Sequence, residues 1–293
     1  MNRGIVYAML AYVAWGLFPL YFRHLAGVGA FEIVVHRVVW SLAFLVALLL
    51  WMRRWSWLAP LRQRPKVLGA SAVSALLLSC NWLLYVWAVM NGRILDASLG
   101  YFINPLVNVL LGFFVLHERP RSGQWAAVAL AACGVLWLAI LGPQAPWVGL
   151  TIAASFGLYG LMRKTAALGA IEGLTLETLL LAPLAFAALG WWTWQGSGGL
   201  AQHDGATLAW LIGVGPLTAV PLLLFAAGAR RIPLATLGLL QYVSPSLQLA
   251  LGVWLFNEPL AGNRLVGFAL IWIALALYSA ESWQHARSRP GAG

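Results

Sequence analysis

Stretches of about twenty mostly apolar residues follow one another along the whole chain, separated by short polar or charged breaks. A segment of this kind spans a bilayer as an α-helix, because in lipid the backbone must satisfy its hydrogen bonds within the segment. The sequence therefore predicts an all-α integral membrane protein with ten transmembrane helices, at 4–22, 32–51, 67–90, 94–116, 122–141, 147–163, 173–194, 207–229, 234–256 and 262–281.

Composition excludes a soluble domain. Of the 293 residues, 62% are hydrophobic and only 9% are charged, whereas soluble domains are about half apolar and about one quarter charged. The net charge of +10 would suggest nucleic acid in a soluble protein, but none of the known nucleic-acid-binding motifs is present. We therefore expect the lipid bilayer and a small-molecule substrate as partners, no nucleic acid, and either a monomer or a homodimer.

The Lys and Arg residues in the loops and at the ends of the predicted helices predict the orientation. With the N-terminus in the cytoplasm, the cytoplasmic segments hold 14 of them and the opposite loops hold 3, as the positive-inside rule requires. The apolar run after "MNR" is then kept as an uncleaved signal anchor. We expect a multi-pass protein of the bacterial inner membrane with both termini in the cytoplasm.

One apolar segment is written nearly twice. "LGYFINPLVNVLLGFFVLHE" (99–118) matches "LLQYVSPSLQLALGVWLFNE" (239–258) at an offset of 140 residues, which places Pro105 on Pro245. The sequence therefore divides into halves at 1–143 and 144–293, with five predicted helices each. Because five is odd, the second half enters the membrane from the opposite side, and such inverted repeats are typical of secondary transporters.

Both copies carry polar residues in the middle of the predicted helix, and in each copy they share one helical face. Polar side chains in spans usually face the bundle interior or a wet cavity, and we predict a shared substrate cavity; the alternative is hydrogen bonding between packed helices. The six residues are Tyr101, Asn104, Asn108, Gln241, Ser244 and Gln248. Pro105 and Pro245 interrupt these faces and act either as simple kinks or as hinges.

Four further residues are candidates for the cavity wall. Asn81 and Tyr85 share a face of the third predicted helix, and Trp15 and Tyr159 occupy matching positions of the two halves beside a glycine. The alternative is that the aromatic side chains pack or lie at the membrane interface.

Three titratable or charged side chains lie inside predicted helices: His36, Arg37 and Glu177. Arg37 and Glu177 hold the same repeat position, but the inversion puts them about 15 Å apart in depth, so each is expected to need another partner. They are candidates for gate or proton sites, and the alternative is a boundary charge that snorkels to the interface. Glu118 and Glu258 are expected to be solvated boundary residues, and Asp96 to pair with Arg93.

The sequence resembles the EamA-type permeases of the drug/metabolite transporter superfamily. The matching stretches are "AYVAWGLFPLYFRHL", "EIVVHRVVWSL", "NWLLYVWAVMNGRILDASLGYFINPLVNVLLG", "LTLETLLLAPLA" and "GLLQYVSPSLQLALGV". The resemblance implies ten helices with both termini in the cytoplasm and a central cavity lined largely by helices 1, 3, 4, 6, 8 and 9. Relatives in the superfamily move amino acids, other metabolites or sugar phosphates.

These features favour a secondary transporter of a small organic metabolite, an amino acid or related amphiphilic solute, working by alternating access. A multidrug efflux permease is the alternative within this class, and a polytopic membrane enzyme, a channel or a scaffold protein is the alternative outside it. No catalytic site is predicted, because the acidic residues are scattered and no G-x-S-x-G, H-E-x-x-H or P-loop motif is present. No metal site is expected, because there is no C-x-x-C motif or His/Cys cluster, and no cofactor is expected. Cys80 and Cys133 are expected to be small core residues.

Overall fold

The computed structural model describes residues 2–25, 27–53, 55–90, 94–140, 147–200, 202–255 and 262–287, with some side chains left out. In this part of the chain the regular structure is helical and contains no strand. The α-helices are α1 (Arg3–Gly16), α2 (Phe18–Phe22), α3 (Ala30–Met52), α4 (Pro65–Met90), α5 (Ile94–Phe114), α6 (Ser122–Ile140), α7 (Trp147–Thr165), α8 (Ala170–Gln195), α9 (Gly205–Ala229), α10 (Leu234–Leu240), α11 (Val243–Trp254) and α12 (Gly262–Arg287).

Two of the predicted helices are each divided into two pieces. The range 4–22 breaks at Leu17, and α2 begins with Pro19 in its first turn. The range 234–256 breaks between α10 and α11. Pro245 has no N–H for the carbonyl of Gln241, and that carbonyl accepts from the N–H of Ser244 at 3.0 Å instead.

The two prolines of the duplicated segment therefore differ in their surroundings. Pro245 follows an interruption of the helix, whereas Pro105 lies inside the uninterrupted α5. Gly238 of α10 packs directly against Pro105, because a Cβ at Gly238 would lie only 2.8 Å from the Pro105 carbonyl oxygen.

Within the described residues, six helical segments are long and apolar enough to cross a membrane: Arg3–Leu25, Ala30–Met52, Pro65–Tyr85, Ser122–Ile140, Ala170–Gln195 and Gly205–Ala229. Two shorter apolar helical segments are Gly100–Phe114 and Leu265–Glu281. These lengths match the roughly 20 residues that a bilayer requires.

Helix packing joins the beginning of the chain to its end. α3 packs between α8 and α9, α1 packs on α9 and α11, α7 packs on α4 and α5, and α6 packs along α12. Small residues allow the closest approaches: a Cβ at Gly134 of α6 would lie 2.8 Å from the carbonyl oxygen of Gly267 in α12. Such small-residue contacts are how helices associate where lipid is as apolar as the side chains.

The largest buried cluster is aromatic at its centre. Tyr12 of α1, Phe156 and Tyr159 of α7, and Phe225 of α9 pack together there. The cysteines lie elsewhere: Cys80 and Cys133 are free and exposed, so the expectation that they are core residues is wrong. In a membrane protein the lipid-facing surface is as apolar as the core, and apolar surroundings in the sequence do not separate the two.

Candidate functional site

A buried ion pair lies between α7 and α8. Arg163 Nη1 lies 3.2 Å from Glu177 Oε1, and each side chain is only 2% exposed. Ser74 of α4 donates to the same carboxylate oxygen at 2.7 Å, and the Tyr159 hydroxyl donates to Oε2 at 3.5 Å. Arg163 Nη2 also donates to the Gly169 carbonyl at 3.3 Å. These bonds offset part of the desolvation cost of burying two charges.

This pair bears on one expectation and on one alternative. Arg163 belongs to the basic residues assigned to the cytoplasmic segments, but it is a buried side chain of α7. The alternative that Glu177 is a boundary charge that snorkels is excluded, because its side chain is buried. Arg163 lies in the last turn of α7, whereas Glu177 is the eighth residue of α8. The long Arg163 side chain spans this difference, and its guanidinium packs against Gly173, one turn before Glu177.

Arg37 of α3 is also buried, at 5% exposed. Its guanidinium carbon lies 4.3 Å from the centre of the Trp82 ring, a cation–π contact. Its Nε has no hydrogen-bond partner. Among the side chains that the structure describes, no carboxylate lies within ion-pair distance of Arg37.

A narrow cavity between α3 and α8 is lined by Arg37 from α3 and by Glu177 from α8. Its volume is about 20 Å³, which is room for little more than one water molecule. Six of its lining residues form three pairs that are 140 positions apart, namely Arg37 and Glu177, Val38 and Thr178, and Ser41 and Leu181. The remaining wall is apolar and consists of Leu78, Leu174, Ala219 and Leu222.

A second cavity, of about 270 Å³, lies next to the first. Lys66, Ser74 and Arg163 line it, together with the turn that joins α7 to α8. Glu177 lines both cavities. The Arg163–Glu177 pair therefore stands between the narrow cavity and this larger vestibule.

The predicted polar face of α5 is turned toward α7. Asn104 Nδ2 donates to the Ala153 carbonyl at 2.7 Å, and Asn108 Nδ2 donates to Asn104 Oδ1 at 3.1 Å. Asn81 of α4 binds α7 as well, donating to the Ile152 carbonyl at 2.9 Å. In this conformation Asn104 and Asn81 form hydrogen bonds between packed helices, which for Asn104 was the alternative to a cavity. Asn108 bonds within α5, and its Oδ1 has no partner.

The matching residues near α10 and α11 differ from one another in burial and in hydrogen bonding. Gln241 and Ser244 are buried, and Gln241 Oε1 has no partner. Gln248 is exposed and donates to the Trp15 carbonyl at 3.1 Å. None of the six predicted face residues lines either of the two cavities described above.

The three aromatic wall candidates belong to two groups of rings. Trp15 packs against Phe225 and Tyr12, with ring centroids 5.6 and 5.7 Å apart, in the cluster that also holds Tyr159. Tyr85 lies between Tyr101 and the Trp82 ring that contacts Arg37. The sequence did not single out Trp82 by itself, although it stands next to Asn81.

Near the beginning of α3, Glu32 contacts the segment between α8 and α9. Its Oε1 accepts from the Gly199 N–H at 2.5 Å and lies 2.9 Å from His203 Nε2. His36 is fully buried, accepts from Trp40 Nε1 at 3.0 Å, and lies 4.0 Å from Glu32. The sequence missed Glu32 and His203, because they are 171 residues apart and only the fold brings them together.

Glu118 is not the solvated boundary residue that the sequence suggested. It accepts from the N–H groups of Leu234 and Ala235 at 2.8 and 3.2 Å, and it lies 3.5 Å from Lys164 Nζ, with 16% of its side chain exposed. It therefore caps the N-terminus of α10 with negative charge. Its sequence counterpart Glu258 lies outside the described residues, as do Arg93 and the side chain of Asp96.

Comparisons with known proteins agree on one family. Residues 2–140 match the EamA-like transporter family. The chain is 47% identical, over all of its length and 98% of the relative's, to an uncharacterized transporter of Pseudomonas aeruginosa. It is 44% identical to the protein RarD of Escherichia coli K12, with 94% of each chain covered.

A further relative and one solved structure extend this picture. The chloramphenicol-sensitive protein RarD of Pseudomonas aeruginosa is 32% identical over 98% of the chain and 95% of the relative. A crystal structure with 20% identity superposes with a TM-score of 0.72, covering 95% of this chain and 98% of the other, and shows the same fold. The chain is a membrane transporter that belongs to the EamA-like family of the drug/metabolite transporter superfamily and resembles the RarD proteins within it.

Proposed function

We propose that the protein is a secondary transporter of a small organic metabolite, an amino acid or related amphiphilic solute, and that it works by alternating access. The observation that carries this proposal is the narrow cavity between α3 and α8, whose walls pair residues 140 positions apart. A site built from matching positions of two halves is where secondary transporters bind their substrates. The transported solute crosses the inner membrane through this space.

The packing of the helices supports two inverted repeats at 1–143 and 144–293. Under this division α1 corresponds to α7, α4 to α9, and α5 to α10 and α11. α1 packs on α9 and α11, and α7 packs on the corresponding α4 and α5. α3, α5 and α6 each pack on their own counterparts. The family match ends at residue 140, close to this boundary.

Ten transmembrane segments accompany the two repeats. We count α1 with α2 as one span and α10 with α11 as another, since each pair is divided only by a short break. The distribution of Lys and Arg then places both termini in the cytoplasm. Without the buried Arg163, 13 basic residues remain on the cytoplasmic side against 3 on the opposite side, and the orientation is unchanged.

Two contacts are suited to act as gates. The Arg163–Glu177 pair separates the narrow cavity from the vestibule, which faces the cytoplasm in the proposed orientation. Glu32 with Gly199 and His203 joins α3 to the segment between α8 and α9 at the opposite end. Alternating access requires such contacts to break on one side at a time.

A multidrug efflux permease is the second candidate, and two observations favour it. A relative that is 32% identical carries the name chloramphenicol-sensitive protein, and the cavity wall is largely apolar. A membrane enzyme or scaffold protein is disfavoured, because the relatives with a functional name are transporters. No group of three His, Cys, Asp or Glu residues suited to a metal occurs in the described residues.

Uptake into liposomes tests the proposal. Purified protein is reconstituted, and uptake of radiolabelled amino acids and small organic acids is measured with and without an imposed proton gradient, with protein-free liposomes as the control. Uptake that saturates with concentration supports the proposal, and accumulation that needs the gradient assigns proton coupling. If chloramphenicol-like drugs enter and no metabolite does, the efflux alternative replaces it.

Reporter fusions test the inverted arrangement separately. A fusion at Pro65 should report the cytoplasm, and a fusion at Gly198 should report the periplasm. A cytoplasmic signal at Gly198 would contradict the ten-span model. The model has an odd number of spans before α9, whereas a cytoplasmic Gly198 would require an even number.

A further inference from the structure

The buried charges near the narrow cavity do not balance. Arg163 and Glu177 neutralise each other at 3.2 Å, and His36 lies 4.0 Å from Glu32. Arg37 is the remaining buried charged side chain in the described part of the chain, and no described carboxylate pairs with it. One positive charge is therefore left over inside the helix bundle.

An uncompensated charge inside a helix bundle costs free energy of desolvation. In membrane spans, charged residues usually mark a substrate or ion pathway. Trp82 offsets only part of this cost, because a cation–π contact is weaker than the hydration that the guanidinium loses on burial. It also holds the guanidinium in place, since the ring centre lies 4.3 Å from the guanidinium carbon. The fixed guanidinium therefore offers unused N–H donors, of which the buried Nε is one.

The other polar groups of the cavity are already engaged. The Ser41 hydroxyl donates to the Gly215 carbonyl at 3.0 Å, and the Thr178 hydroxyl donates to the Leu174 carbonyl at 2.8 Å. Glu177 is paired with Arg163. Arg37 is thus the polar group of this cavity that remains open to a ligand.

The shape of the guanidinium indicates the ligand's polar group. Its planar fork of N–H donors matches a carboxylate with two parallel hydrogen bonds. The leucine side chains that line the cavity, Leu78, Leu174, Leu181 and Leu222, suit an apolar group attached to that carboxylate. The cavity's present volume admits only about one water molecule, so a ligand requires α3 and α8 to move apart.

We propose that Arg37, held by Trp82, binds the carboxylate of the transported solute, and that the solute is a small amphiphilic monocarboxylate, amino acids included. This deepens the proposed function, on which the transport of the ligand rests. Binding to Arg37 is measurable without transport, and the two ideas can therefore fail separately.

Thermal unfolding of the purified full-length protein in detergent tests the binding. The probes are phenylacetate, L-phenylalanine, phenethylamine and 2-phenylethanol, which share a phenyl ring and differ in charge. We expect the two carboxylates to raise the Tm of the wild type in a saturable manner. Phenethylamine and phenylethanol should leave it unchanged.

Variants at Arg37 assign the effect to this side chain. R37Q should weaken carboxylate binding at least tenfold, and R37K should retain part of it, because an ammonium keeps the charge but loses the fork. Unliganded R37Q should be at least as stable as the wild type, since an unpaired buried charge has been removed. R121Q is the control, because Arg121 pairs with Glu281 at the surface, and it should bind the carboxylates normally.

Any one of three results would overturn the proposal. Phenethylamine could stabilise the wild type as well as phenylacetate does, or R37Q could bind carboxylates with unchanged affinity. The third is that no carboxylate shifts the wild-type Tm. Stabilisation by sodium chloride but not by sodium gluconate, with no added effect of phenylacetate, would also overturn it in favour of an inorganic anion. Binding that depends on Arg37 without uptake into liposomes would contradict the proposed transport and support the Arg37 site.

Discussion

The hydroxyl of Tyr242 donates a hydrogen bond to the carbonyl oxygen of Phe102 at 3.1 Å, and the two rings stack with centroids 6.4 Å apart. The two residues are 140 positions apart, which is the offset of the duplicated segment. In a molecule built from two related halves, only residues next to the symmetry axis touch their own counterparts. This contact therefore puts α5 and the break between α10 and α11 beside the axis of the proposed repeat.

Removing this hydrogen bond should destabilise the protein. Y242F leaves the buried Phe102 carbonyl without that donor, and the expected loss is about 1 kcal/mol in the free energy of unfolding. Thermal unfolding in detergent measures it. Y7F is the matched control and should change nothing, since no hydrogen bond of the Tyr7 hydroxyl is seen among the described residues. Equal stability of Y242F and the wild type would show that the bond does not contribute.

The buried Arg163–Glu177 pair should show strong coupling. E177Q or R163Q alone leaves one buried charge without its partner, and each is expected to lower the free energy of unfolding by about 3 to 5 kcal/mol. The double variant R163Q/E177Q should be markedly more stable than the sum of the single losses predicts, because no charge is left unpaired. A double-mutant cycle of unfolding measures this coupling. Additive losses would contradict a direct interaction.

The same variants report on the gate. If the pair closes the passage between the narrow cavity and the vestibule, R163Q/E177Q should make a cysteine at Ser41 more reactive toward a membrane-impermeant thiol reagent. The background for this test lacks Cys80 and Cys133. Unchanged labelling at that position would contradict the proposed gate. It would not contradict the contribution of the ion pair to stability.

Glu118 should contribute to stability despite its place at a helix boundary. E118A removes the acceptor for the Leu234 and Ala235 N–H groups and the partner of Lys164, and the expected loss is about 1 to 3 kcal/mol. E281A is the control: Glu281 pairs with Arg121 across α6 and α12 at a more exposed position, and such pairs contribute about 0 to 1 kcal/mol. Equal losses for the two variants would argue against the cap.

Asp204 should stabilise the start of α9 in a manner that depends on pH. Its carboxylate accepts from the Thr207 N–H at 3.0 Å, and hydrogen bonds from Thr207 lower the pKa of Asp204 below its usual 3.8. A lowered pKa means that the contribution is complete above the unfolded pKa and is lost as the pH falls through the folded one. D204A should therefore be less stable than the wild type at pH 7, and the difference should shrink in acid.

D204N separates the cap from the charge. Asparagine also caps helices well, so D204N should keep most of the stability at pH 7 and show no dependence on pH between 7 and 3 from this position. A difference between D204A and the wild type that stays constant down to pH 3 would contradict the prediction.

Much of the fold follows from the sequence alone. The helical class, the positions of most helices and the family are readable because a bilayer admits only segments that satisfy their own backbone, and such segments are long, apolar and bounded by polar residues. The duplication is readable because it is written in the residues themselves. The division at Leu17 and the break before Pro245 were missed, since hydrophobicity does not report local backbone geometry.

The partners of the polar residues were decided by tertiary structure. Glu177 binds Arg163 and Glu118 caps α10, although the sequence suggested a partner of unknown kind and a solvated boundary. For Asn104 the sequence left a shared cavity and a hydrogen bond between helices open, and in the fold Asn104 binds α7. Periodicity assigns a side chain to a face of its helix, but it does not say which neighbouring helix meets that face. That choice depends on how the helices rotate and cross when they pack, and these are properties of the whole assembled bundle.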